Sequence, residues 1–188
     1  MNTLTASPEW CPRRLDPRNP ADQQTLAGLV AEGKVRETFD TILEQLRELV
    51  ALRHPKRKLT HDEFSDAVAK LLGGAPLRDY GRWIFYPWSG RLVHLLEREE
   101  FREVRLNRNR NKISAVEQAR LGEITVGVVG LSVGSAVART LALEGIGTLK
   151  LADFDCLDLS NLNRIQAGVA DLGVNTRPLT KSALGTRG

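Results

Sequence analysis

Between residues 34 and 53, apolar side chains recur at alternating spacings of four and three: Val35, Phe39, Ile42, Leu46 and Leu49. That period predicts a helix with one buried face, and Glu37, Asp40, Glu44, Arg47 and Glu48 occupy its other sides. His54-Pro55 ends it, because proline biases the residue before it away from helical geometry. After a charged Lys56-Arg57-Lys58 connector, Thr60 and Glu63 match a capping box. Phe64, Val68, Leu71 and Leu72 supply the apolar face of the second helix, and Gly73-Gly74 stops it. In residues 82–96 the pattern shifts: Trp83, Ile84, Phe85 and Tyr86 predict a short strand, and residues 91–96 a second short apolar element. His94 lies there without a partner nearby in sequence and reads as a structural histidine. Residues 97–105 and 114–121 read as two more helices, the latter opened by Ser114 with Glu117 three positions on and closed by Gly122. Residues 1–24 hold Pro8, Pro12, Pro17 and Pro20 without an apolar period and predict a loose tail.

Residues 124–164 have a different character. Ile124, Val126, Val128 and Val129 form an apolar run suited to a buried parallel strand. Gly130-Leu131-Ser132-Val133-Gly134-Ser135 follows as a tight turn, and residues 136–144 continue as a helix that Gly145 and Gly147 end. Residues 148–152 make a second strand. Asp153 then stands 23 residues after Gly130, close to the offset at which a carboxylate binds ribose hydroxyls in dinucleotide folds. The glycine pattern itself departs from GxGxxG: either Ser132 and Ser135 fill two of the three glycine positions, or the turn is one residue shorter. The fold class this predicts is α/β: the first half of a Rossmann-like doubly wound parallel sheet, preceded by a mostly α-helical N-terminal region. The expected division is an irregular tail over 1–33, a helical and aromatic region over 34–107, a partial nucleotide-binding unit over 108–175 and an aberrant tail over 176–188.

Composition narrows the classes. The chain has 188 residues, with 41% hydrophobic and 27% charged, which fits a folded globular protein. No apolar run is long enough to span a bilayer and residues 1–20 lack a signal-peptide core, so a cytoplasmic protein is expected. Cys11 and Cys156 are far apart and suggest neither a disulfide framework nor a zinc site. The net charge is +4, and the basic excess concentrates in Arg102, Arg105, Arg108, Arg110 and Lys112. Only Phe101 accompanies them, so nucleic acid is an unfavoured partner, and a solvated basic face is the simplest reading.

The sequence after the second strand, DFDCLDLSNLNR, resembles the signature of the ThiF/MoeB/HesA family, which includes the ubiquitin-activating enzymes. The resemblance covers roughly residues 108–175. It implies binding of ATP with Mg²⁺ and adenylylation of the C-terminal carboxylate of a ubiquitin-like or sulfur-carrier protein, with the Mg²⁺ ligand expected beyond this sequence. It further implies that Gly130 and Gly134 serve the phosphate turn and Asp153 the ribose. Asp155 and Ser160 would support the nucleotide, and Asn161 and Arg164 would face the triphosphate. A guanidinium and an amide donor suit that role, because attack on the α-phosphate builds negative charge. Homodimeric members send an upstream arginine into the partner's site, to which Arg108 or Arg110 could correspond. Cys156 is expected to be structural.

The resemblance weakens at Thr176, which stands where the family's phosphate-binding lysine is expected, with Lys181 displaced by five residues. From Ile124 onward there are 65 residues, fewer than a doubly wound sheet requires. A truncated, inactive product is therefore the expectation, most simply from a frameshift near codon 175 or 176, with a natural short form completed by a partner chain as the rival. Two other readings stay open at this point: a non-enzymatic nucleotide-binding or interaction module, and an NAD(P)-dependent oxidoreductase.

Overall fold

A computed structural model describes residues 11–55, 58–178 and 180. It divides into two units: one comprises Arg13–Asn107, and the other takes in the described residues from Arg108 onward together with Cys11 and Pro12. The connector residues Lys56 and Arg57, as well as Lys181 and the remainder of the tail to 188, lie outside the described residues.

The first unit contains strands β1 (Arg13–Leu15), β2 (Glu37–Asp40), β3 (Arg82–Tyr86) and β4 (Arg91–Leu95), with helices α1 (Pro20–Ala31), α2 (Ile42–Arg53), α3 (His61–Leu72) and α4 (Arg98–Leu106). The strands form one sheet in the order β1-β3-β4-β2. β3 and β4 are an antiparallel hairpin, β1 is antiparallel to β3, and β2 is parallel to β4.

Two expectations are corrected here. The stretch containing Pro17 and Pro20 is no loose tail, because Pro20 takes the first position of α1. There its missing N–H costs nothing, and the Asn19 side chain accepts from the amides of Ala21 and Asp22. The predicted helix from residue 34 begins only at Ile42, since Glu37–Asp40 pairs with Arg91–His94 as a strand. Val35 and Phe39 are four apart, a spacing that a period of two satisfies as well as a period of 3.6. The apolar pattern could not separate the two there.

From Ile42 onward the predicted face holds. Ile42, Leu46, Leu49 and Val50 are buried together with Val68 of α3 and Leu96, and Phe64, Leu71, Phe101 and Val104 pack around them. Each such side chain contributes about 1.5–3 kcal/mol by leaving water. Gln45 ties α2 to the sheet, donating to the His94 carbonyl at 2.8 Å and accepting from the Leu96 amide at 3.1 Å. The Thr60/Glu63 capping box forms, with Gly73 left-handed at the end of α3. His94 is fully buried. Its ring lies 2.9 Å from Asp40 Oδ1 and 2.6 Å from the Tyr80 carbonyl, and it stacks on Trp83 with centroids 4.2 Å apart. Asp40 is its long-range partner, 54 residues away in sequence.

The second unit carries α5 (Ala115–Glu123), β5 (Thr125–Val129), α6 (Leu131–Glu144) and β6 (Thr148–Ala152). β5 and β6 run parallel, in register from Thr125↔Thr148 to Val129↔Ala152. This is a βαβ unit of Rossmann-like kind. Val126, Val128, Leu149 and Leu151 pack with Leu131, Ala138 and Leu141 of α6. Alternation along β5 turns its other residues away, and Val129 is 81% exposed. Ser114 and Glu117 cap α5 as their spacing predicts.

Candidate functional site

The turn between β5 and α6 is built around Gly130, whose φ of 81° lies in a region closed to most side chains. Its amide donates to the Ala152 carbonyl at 2.9 Å, so the turn is stitched to the end of β6. α6 begins at once with Leu131, five residues earlier than the pattern predicted. Its first amides therefore open at the turn, where a helix has unpaired N–H groups and a partial positive charge.

Asp153, one residue past β6, reaches back to this point. Its Oδ2 accepts from the Leu131 amide at 2.5 Å, and its Oδ1 accepts from the Asp155 amide at 3.0 Å. Burial by itself would raise the carboxyl's pKa. The amides of Asp155 and Leu131 and the Thr176 hydroxyl outweigh that and hold it below its ordinary value. Asp153 is thus a fixed carboxylate at the positive end of α6. Asp155 is exposed and contributes through its backbone, its carbonyl accepting from the Thr176 amide at 3.1 Å and the Asn175 side chain at 3.0 Å.

Thr176 is 3% exposed, and its hydroxyl also bonds the Asp155 carbonyl at 3.2 Å. At the position where a phosphate-binding lysine was expected, the chain has a small buried residue that braces the Asp153–Asp155 loop.

A 3₁₀ turn, Leu159–Asn163, leads into Arg164. Its guanidinium donates from Nε to the Ser132 hydroxyl at 2.7 Å, and from Nη1 to the Ser160 carbonyl at 3.2 Å and Asn163 Oδ1 at 2.9 Å. Arg164 is exposed, with no described partner for Nη2. Ser160 enters through its carbonyl alone. The Asn161 carboxamide oxygen accepts from the Asp158 amide at 2.8 Å. Gly130, Asp153 and Arg164 are therefore assembled at one place, at the start of α6.

Gly134 does something else. It lies inside α6, and a Cβ added there would come 2.9 Å from Val128 Cγ1. Its role is close helix–strand packing rather than the turn. Gly134→Ala is expected to lower the stability of this unit by about 1–2 kcal/mol through overpacking, measured as a reduced urea midpoint; an unchanged midpoint would show that Val128 has room to move.

Ser132 was missed as a functional residue, because the motif treats it as a lapsed glycine. The available signal was a hydroxyl, able to accept, set in the turn of a unit that ends in arginine. Cys156 is exposed, and its backbone forms an isolated bridge with Asn175. Among the described residues no group of three or more His, Cys, Asp and Glu gathers to hold a metal ion, and no described helix is long and apolar enough to cross a membrane.

Residues 106–183 match the ThiF family. The uncharacterized protein MT1398 of Mycobacterium tuberculosis is 49% identical over 124 residues, which cover 60% of this chain and 17% of that protein. Ubiquitin-like modifier-activating enzyme 5 of Drosophila willistoni is 43% identical over 67 residues, covering 32% of this chain and 16% of the enzyme. The crystal structure of E. coli MccB with ATP aligns at 18% identity and a TM-score of 0.38, covering 78% of this chain and 43% of that one. The chain spans about one sixth of the length of the first two curated relatives it matches.

Proposed function

Because residues 106–183 are a ThiF-family segment, we propose that the β5–α6–β6 unit is the ATP-binding part of an adenylyltransferase. Its substrate would be the C-terminal carboxylate of a ubiquitin-like or sulfur-carrier protein. The observation that carries this reading is the convergence of Asp153 and Arg164 on the opening of α6. Asp153 is a fixed carboxylate beside the first amides of α6, at the place where a carboxylate meets ribose hydroxyls in dinucleotide folds. The first amides of α6 and the Arg164 guanidinium suit the phosphates.

In the reaction a carboxylate oxygen bonds to the α-phosphorus as the bond to the β-phosphate oxygen breaks, and pyrophosphate leaves. Negative charge builds on the phosphoryl oxygens, and a cation held in advance at that place lowers the barrier. Mg²⁺ accompanies ATP and would neutralise its phosphates. The described residues form no metal-binding cluster, so only the nucleotide contacts are assigned to this chain.

The test is a thermal-shift and calorimetric comparison of ATP with NAD⁺. ATP is expected to raise the melting temperature and bind saturably while NAD⁺ does neither. Tighter binding of NAD⁺ would restore the oxidoreductase reading.

A further inference from the structure

We infer that the Ser132 hydroxyl is a positioning residue that holds Arg164 in place for the terminal phosphates of a nucleoside triphosphate; this rests on the nucleotide reading of the site. The two residues are 32 apart in sequence, and the 2.7 Å bond from Arg164 Nε to Ser132 Oγ joins the loop after β6 to the first turn of α6. With Nη1 committed to the Ser160 carbonyl and Asn163 Oδ1, three of the five guanidinium donors are spent on the protein. The plane of the guanidinium is thereby set, and the two N–H groups of Nη2 remain for a ligand.

An unrestrained arginine would lose rotamer freedom on meeting phosphate, and restraining it beforehand removes that part of the binding cost. The Ser132 hydroxyl thus makes a contact that a glycine at this position could not make.

The experiment measures ATP and AMP affinities by calorimetry for the full chain and for S132A, S132T, R164A and the S132A/R164A double variant. S132A is expected to weaken ATP about tenfold, the scale of one hydrogen bond to a charged group, and to leave AMP unchanged. S132T, which retains the hydroxyl, is expected to restore ATP binding. In the R164A background, removing Ser132 should cost nothing more, because the hydroxyl acts through the arginine. As a readout without ligand, the Arg164 Nε–H resonance should exchange slowly with water in the wild-type chain and rapidly in S132A. Equal loss of ATP and AMP in S132A, additive losses in the double variant, or an Arg164 resonance indifferent to S132A would each overturn the role of Ser132. A wild-type chain that binds no ATP, with the Arg164 resonance behaving as expected, would instead overturn the nucleotide reading on which it rests.

Discussion

Replacing Gly147 by alanine is expected to destabilise the β5–α6–β6 unit by about 3 kcal/mol, the upper end of what overpacking costs. A Cβ at this position lands on the backbone carbonyl of Gly122. That carbonyl cannot swing aside as a flexible side chain could. The Gly147 amide donates to the Leu121 carbonyl at 3.1 Å and the Thr148 amide to the Ile124 carbonyl at 3.1 Å. These bonds hold the end of α5 against the start of β6, so relieving the clash means breaking them. Gly127 is the internal comparison: it lies in β5 with nothing within 4 Å of an added Cβ. Gly127→Ala should shift stability by less than about 1 kcal/mol, and could raise it by restricting the unfolded chain. Amide hydrogen exchange in β5 and β6 reads both variants locally. Protection in G147A equal to that of G127A would mean the α5–β6 contact is wrong.

Asp153→Asn is expected to weaken ATP roughly thirtyfold, about 2 kcal/mol, while leaving the fold in place. The side chain keeps its shape and loses its charge. One carboxamide oxygen can accept from the amide of Leu131 or of Asp155, but not both in the present geometry, and the new NH₂ faces a donor. A pH signature accompanies this. The carboxyl of Asp153 titrates below its ordinary value in the folded chain. Its contribution to stability is therefore present above the unfolded carboxyl's pKa, near 3.9, and is lost as pH falls through the lower folded value. The wild-type chain should lose this increment on acidification below about pH 4, whereas D153N, having no proton to gain there, should not. Acid titration of the two proteins that gave parallel curves would remove Asp153 from its place at the helix terminus.

Much of this site was legible in the sequence because its parts are local. The β5 strand, the Gly130 turn, the helix and the second strand each follow from residues adjacent to one another, and Asp153 follows from a fixed offset. What was not legible depends on distance. Ser132 and Arg164 meet across a loop whose path no periodicity encodes. Thr176 looks like a missing lysine in the motif, yet folded it is a buried brace for the loop that carries Asp153. In the first unit the same distinction holds. The buried face of α2 could be read from its period, whereas β2 could not, because its pairing with β4 joins residues 54 apart. His94 is the sharpest case: read alone it has no partner, and the sheet brings Asp40 to it.

On the function proposed above, the opening of α6, with Asp153 and Arg164, holds a nucleotide by its phosphates and ribose. An ATP titration of the ¹⁵N-labelled chain followed by amide NMR tests it most directly. Saturable shifts are predicted for Leu131, Ser132 and Val133 at the start of α6 and for Phe154 and Asp155 beside the carboxylate, together with the Arg164 side chain, while amides of α2 and α3 stay still. Shifts confined to the first unit, or none at the turn at saturating ATP, would contradict it.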